Sequence, residues 1–421
     1  MSLDYWLIII VSVSLGYTYY SRVSKGIVKL DHFGYIMIGI ILYWLLPIYA
    51  YEKNIHTPNY RELYSSMSHK NKESYLFFVL IIVTALLLGD WISKRLPYTF
   101  NIQNIYYSRE VLKVFLIIFV FLGCYSGYFM RNAFFTGYES IGEWPHERGM
   151  FNSVCIALTT LNVINSVTHI IYKYSFISGK RILYLLVFNK YFILAFIFNI
   201  LTLFTGNRGY FIAFIMSLLL IANEIGGGIR FKKFIVIMTI VIIFNSFVAI
   251  VRSTEDTRFL YNFDNYFGNF IYEFVNVSVT LNYHIKDMIY NLVEFPVVLI
   301  SKFIGIIPSA IFPGKFAYMV SPDEVGKIIV PYQATTHNYV ELLINFGLIG
   351  TIFIFFFIGI GFNWLKSKKH YTPIYIAICA QLPFFFFRSF YDATVKHIFE
   401  FSILLPLLIL VISHLRRKYS T

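Results

Sequence analysis

Four short stretches carry side chains able to do chemistry. The first is Thr335-Thr336-His337-Asn338-Tyr339-Val340-Glu341-Leu342-Leu343, which runs straight into an apolar segment beginning Ile344-Asn345-Phe346-Gly347. The second is the turn Thr205-Gly206-Asn207-Arg208-Gly209; the third and fourth hold Arg252, in Val251-Arg252-Ser253-Thr254-Glu255-Asp256, and Arg388, in Phe387-Arg388-Ser389-Phe390-Tyr391-Asp392. A guanidinium is permanently charged and forked, which suits phosphate oxygens. Glycines let the backbone approach a ligand, and N–H groups at a helix start attract anions. An imidazole titrates near neutrality and suits a general base. Arg208, Arg252, Arg388 and His337 together read as an anion site with one titratable group. Asn207, Asn338 and Glu341 are its supporting residues, Glu341 standing one turn from His337 and able to orient it or its helix. Each piece also has a purely structural reading. Arg208 can snorkel to a membrane interface, Arg252 can pair with Glu255 or Asp256, Arg388 can be an anchor paired with Asp392, and a histidine at a helix start can belong to the cap. The weight lies in their joint placement, which depends on the elements that carry them.

Those elements are membrane helices. The chain has 421 residues, 58% of them apolar and 14% charged, whereas soluble domains carry about 25% charged residues. Apolar runs near the ~20 residues that a bilayer demands recur from end to end. Aromatics make up 20% of the chain, part of which fits interfacial belts of Tyr and Trp. The net charge of +13 sits in short loops rather than on a soluble face, which sets orientation in a bilayer and argues against nucleic acid. Cys124, Cys155 and Cys379 all lie in or beside apolar runs, so neither a disulfide frame nor a metal site is expected. No phosphate-binding loop, dinucleotide fingerprint or HExxH pattern is present, so no cofactor is expected. Tyr5–Tyr20 reads as a retained first helix.

The pattern predicts an all-α polytopic membrane protein, a single domain over 1–421, with about eleven spans (ten to twelve). They fall near 5–20, 33–51, 75–91, 111–129, 150–172, 182–204, 209–223, 234–251, 338–364, 372–387 and 397–414. Every second connection carries a basic group: Arg22, Lys25 and Lys29; Lys94, Arg95 and Arg109; Lys173, Lys180 and Arg181; Arg230, Lys232 and Lys233; Lys366, Lys368 and Lys369; and Arg416, Arg417 and Lys418 in the tail. The positive-inside rule places these in the cytoplasm, with the N-terminus outside and the C-terminus inside. Of 22 acidic residues only Asp31, Asp90, Glu110 and Glu224 fall on that side. The other side then owns 52–74, 130–149, the turn 205–208, one large loop over 252–337, and 388–396. Within the large loop an apolar segment near 292–312 holds Glu294, Pro296, Lys302 and Pro308. Counting it as a span would invert the basic groups that follow, so it reads as interfacial or re-entrant. The three arginines and His337 all reach this outer face. Arg148-Gly149 repeats the Arg208 pattern more weakly at the outer start of a helix, and Lys190 reads as an intramembrane charge half-way along its helix.

At these residues the chain resembles the O-antigen polymerase and O-antigen ligase superfamily. The turn 205–209 is similar to the family's Ser-Arg-Gly/Ala turn, and Arg252 opens the large outer loop as in the family. His337-Asn338-Tyr339-Val340-Glu341-Leu342-Leu343 with Phe346-Gly347-Leu348-Ile349-Gly350 is similar to the family's His-Asn-x-x-Leu-x-x-Leu-x-x-x-Gly-Leu-x-Gly pattern. The motifs cover some thirty residues, and topology carries the resemblance across the rest. One departure is Glu341, which stands at the pattern's first leucine and makes that helix face more polar.

The resemblance implies a GT-C-like membrane fold in a bacterial inner membrane and a metal-independent glycosyltransferase whose site faces the periplasm. It implies polymerisation of undecaprenyl-diphosphate-linked oligosaccharide repeat units into O-antigen-type polysaccharide, as in lipopolysaccharide biosynthesis. Donor and acceptor are both lipid-linked, membrane lipid surrounds the chain, and a chain-length regulator protein is an expected kind of partner. Carried over, His337 is the base, Arg208 and Arg252 bind diphosphate, and Arg388 is a looser match for the same task. Two other readings stand beside it: a ligase that moves the finished glycan to lipid A–core through the same site, and a transporter of lipid-linked oligosaccharides. The transporter would require charge at mid-membrane depth and internal repeats.

Overall fold

The structure, a computed structural model, describes residues 31–46, 69–95, 107–132, 145–171, 184–204, 208–226, 312–319, 338–367, 371–382 and 398–420, with scattered positions between them. Nine helices stand among these. They are α1 (His32–Ile40), α2 (His69–Ser93), α3 (Arg109–Phe129), α4 (Pro145–Asn165), α5 (Lys190–Phe204), α6 (Arg208–Gly226), α7 (Asn338–Ser367), α8 (Thr372–Gln381) and α9 (Leu405–Ser420). Wider π-type turns extend α1 through Ile41–Leu45 and α4 through Ser166–Ile171, and Ile398–Leu404 leads into α9. Five helical stretches are long and apolar enough to cross a membrane: Leu76–Ser93, Arg109–Phe129, His146–Ile171, Phe346–Ser367 and Ile398–Tyr419. This is a helical membrane protein. The expected spans 5–20 and 234–251 lie almost wholly outside the described residues.

The helices divide between lipid and core as their sequences dictate. In α3, Val114, Ile117, Ile118, Phe121, Tyr125 and Tyr128 are exposed at spacings of three and four, a stripe suited to lipid. In α4, by contrast, 94% of the spanning window is buried. It is the central post, and one side of it is polar: Asn152, Thr159, Asn162 and Ser166 recur at helical spacing. Asn199 of α5 donates to Thr159 Oγ1 at 3.0 Å and to the Cys155 carbonyl at 3.3 Å. Small and polar residues of this kind hold membrane helices together where apolar burial gives little preference. Gln381 of α8 likewise donates to the Ser402 hydroxyl. Two apolar clusters flank these contacts, one built on α1, α2, α7 and α8 and the other on α3, α4 and α5, with α6 contributing to both.

One expectation is corrected. Lys190 does not sit half-way along a helix. The predicted 182–204 span breaks after a short turn at Tyr184–Val187, and Lys190 is the first residue of α5. It is exposed, with its ammonium 5.6 Å from the Tyr191 ring. Asn189 causes the break: its side chain accepts from the Tyr191 N–H at 2.9 Å, offering the backbone a local turn in place of the helical bond. Lys190 thus lies at a helix end, not half-way along one.

Candidate functional site

Two ends of the bundle can be told apart from contacts between segments distant in sequence. At one end the backbone of 27–28 pairs antiparallel with both 23–24 and 229–230, Ile27 lying opposite Arg230. Lys366, in the last turn of α7, reaches Asp31 at 3.5 Å. Arg416 of α9 stands 3.9 Å from Glu110 of α3, and the Ser108 N–H donates to Ser413 Oγ at 2.8 Å. Tyr191 lies within electrostatic reach of Arg109, which brings the start of α5 to the same end. Four of the six basic groups named from the sequence therefore share one end of the molecule, hereafter the basic end.

A buried polar junction sits there that sequence reasoning did not assemble. Asp90 is 5% exposed. Its carboxylate accepts from Lys94 Nζ at 2.6 Å and from Asn363 Nδ2 at 2.6 Å, and lies 3.7 Å from His32 Nε2. Asn363 also donates to Ser93 Oγ at 2.6 Å. His32 is fully buried, stacked on Phe362 with Tyr375 edge-on. Its backbone N–H, an orphan at the start of α1, donates to the Tyr375 hydroxyl at 2.9 Å, while Asp31 caps α1 by accepting from Gly34 N–H at 3.0 Å. Asp31 and Asp90 stand out in the sequence as acidic residues on a basic side. Their partners on α7 and α8 are hundreds of positions away, and no local pattern announces them.

Two of the candidate positions, Arg208 and Asn338, are described, both as helix starts. Arg208 opens α6 and Asn338 opens α7. Both helices run toward the basic end, α6 leading into 229–230 and α7 into Lys366. Their N-termini are therefore at the opposite end, and Glu341 lies in the first turn of α7. Arg148, in the first turn of α4, is within electrostatic reach of Tyr210, two residues into α6 from Arg208. Three helix N-termini with their partial positive charge thus share this end. His337, Asn207, Arg252 and Arg388 lie outside the described residues.

One feature of α7 is visible only in the structure. Gly347 has φ 64° and ψ −173°, in the middle of an otherwise continuous run. That backbone region is essentially closed to residues with a Cβ. It divides α7 into a head, from Asn338, and a membrane-length shaft running to Ser367. Thr351 Oγ1 donates to the Gly347 carbonyl at 2.7 Å, a bond within the first turn of the shaft. The head can thereby point in a direction the shaft does not fix.

In the large loop the chain doubles back after its apolar segment. Lys315 is buried and donates through Nζ to the carbonyls of Gly305 at 2.9 Å and Ile307 at 2.6 Å. No group of three or more histidine, cysteine or acidic side chains placed to hold a metal occurs among the described residues. No protein-family model, curated protein or solved structure matches this chain.

Proposed function

We propose that the protein is an inner-membrane glycosyltransferase with a GT-C-like fold and about eleven spans, polymerising oligosaccharide repeat units carried on undecaprenyl diphosphate. In this reading the basic end is cytoplasmic and the end bearing Arg208 and Asn338 faces the periplasm, the loop 252–337 covering the site. His337 accepts the proton of an acceptor hydroxyl at the non-reducing end of a new lipid-linked repeat. The acceptor oxygen attacks the anomeric carbon of the growing chain, and the bond from that carbon to the diphosphate breaks. The electron pair leaves with the polyprenyl diphosphate. Arg208 and Arg252, helped by Arg388, neutralise the charge that gathers on it, a role permanent guanidinium charge can fill. The observation that best supports the reading is the shared end of α6 and α7, whose first residues are Arg208 and Asn338.

The test is made in cells whose surface polysaccharide depends on this gene. His337→Ala and Arg208→Ala, at unchanged protein level, are expected to collapse the polymer ladder to single repeats. Polymer length untouched in both variants would end the proposal.

A further inference from the structure

We propose that the buried polar stripe of α4 binds a file of internal water molecules within the helix bundle, a site independent of the chemistry proposed above. Asn152, Cys155, Thr159, Asn162 and Ser166 follow one another at spacings of three and four, so they share one side of α4. None of them is more than 7% exposed, and none is charged. From Asn152 to Ser166 the stripe rises about 20 Å, against about 30 Å for the hydrocarbon core of a bilayer. It therefore runs through the interior of the central post, where solvent does not reach from the side.

Its amides are only half used. Asn199 of α5 turns its Nδ2 toward three acceptors, the Cys155 carbonyl, Thr159 Oγ1 and the Ala195 carbonyl, so which end is nitrogen is settled. Its fully buried Oδ1 meets no donor. Asn162 accepts from Ser166 Oγ at 3.3 Å, and its Nδ2 meets no acceptor. Asn152 Oδ1 is likewise unmet. Gln381 of α8, a helix packed on α4, donates to the Ala377 carbonyl and the Ser402 hydroxyl and leaves Oε1 unmet. Helix association uses the paired atoms, and the unmet ones add nothing to it. They are of both kinds, acceptors on Asn152, Asn199 and Gln381 and a donor on Asn162. A cation would suit only the acceptors and an anion only the donor, with no charge on the stripe to balance either. Water donates and accepts, so it alone suits all four.

The test uses the full-length protein in lipid nanodiscs and millisecond X-ray radiolysis, with oxidised peptides read by mass spectrometry. Hydroxyl radicals form from water where it is bound, and thiols trap them quickly. The chain carries its own pair of reporters: Cys155 is buried on the stripe, and Cys124 is exposed on α3, the lipid-facing helix. Cys155 is expected to oxidise about tenfold faster than Cys124, the reverse of their exposure, because bound water lies beside it. Asn162→Leu combined with Asn199→Leu removes two of the unmet atoms and is expected to bring Cys155 down to the rate of Cys124. Should that double variant unfold, the ratio of the two cysteines in the parent protein decides alone. A parent Cys155 that oxidises no faster than Cys124 would overturn the inference by making the stripe dry. A fast Cys155 that the folded double variant leaves unchanged would overturn it too, since the water would then not be held by these amides.

Discussion

The two ends of the bundle are built on opposite plans. At the basic end, carboxylates are buried and answered: Asp90 by Lys94 and Asn363, Asp31 by Lys366 and the α1 backbone. Four helices, α1, α2, α7 and α8, are fastened together through that network. At the other end, helix N-termini gather with arginines in or at their first turns, and α7 breaks at Gly347 before it gets there. Helix N-termini carry a partial positive charge that favours anions, and here α4 and α7 each also hold a carboxylate in the first turn, Glu147 and Glu341. One end joins its polar groups to each other; the other is where the candidate site is proposed.

The comparison breaks most sharply at the site. His337→Ala should lower transfer by about 10²–10⁴-fold, the range for a lost general base, with no change in melting temperature. Asp90→Ala should do the opposite. Losing an acceptor for charged and amide donors is expected to lower stability by about 1.5–3 kcal/mol, read as a lower melting temperature in detergent, while turnover per folded molecule holds. A variant of Asp90 that folds as well as the parent but transfers nothing would erase the division between the ends.

Gly347→Ala joins the two plans. The native backbone there costs a Cβ-bearing residue about 1–3 kcal/mol, so the head of α7 should re-aim into a continuous helix. The expected outcome is a loss of transfer larger than any loss of melting temperature. Gly89→Ala should act at the crossing of α2 and α7, where the added methyl meets the backbone of α7. About 1–3 kcal/mol of overpacking is expected, checked by thermal unfolding. The smallest effect belongs to Arg416→Gln. Its partner Glu110 is 54% exposed, as is Arg416 itself, so water screens the pair and the melting temperature is expected to stay unchanged.

The helices were legible where hydrophobicity is the whole cause. The runs near 75–91, 111–129 and 338–364 stand in the structure as His69–Ser93, Arg109–Phe129 and Asn338–Ser367. The grouping of the basic loops was legible too, since charge alternation is counted along the chain and needs no contact map. The break before α5 was missed because hydropathy averages over Asn189, whose effect is a single side-chain hydrogen bond. Gly347 was noticed only as part of a motif; a glycine's φ is not written in its neighbours. The His32–Asp90–Asn363–Tyr375 junction was invisible because it depends on which helices become neighbours. A signal did exist, in two carboxylates placed at the ends of apolar runs on a side otherwise reserved for lysine and arginine. At the candidate site, residue types and helix starts could be read, Arg148 among them, and what the packing added is its nearness to α6.

The most direct test of the central claim is reconstitution. Purified protein is given one lipid-diphosphate-linked repeat unit as both donor and acceptor, without metal or nucleotide, and the glycans are run on a gel beside His337→Ala. The account predicts a ladder from the parent protein and single repeats from the variant. Transfer that appears only on adding lipid A–core, or a ladder that persists without His337, would contradict it.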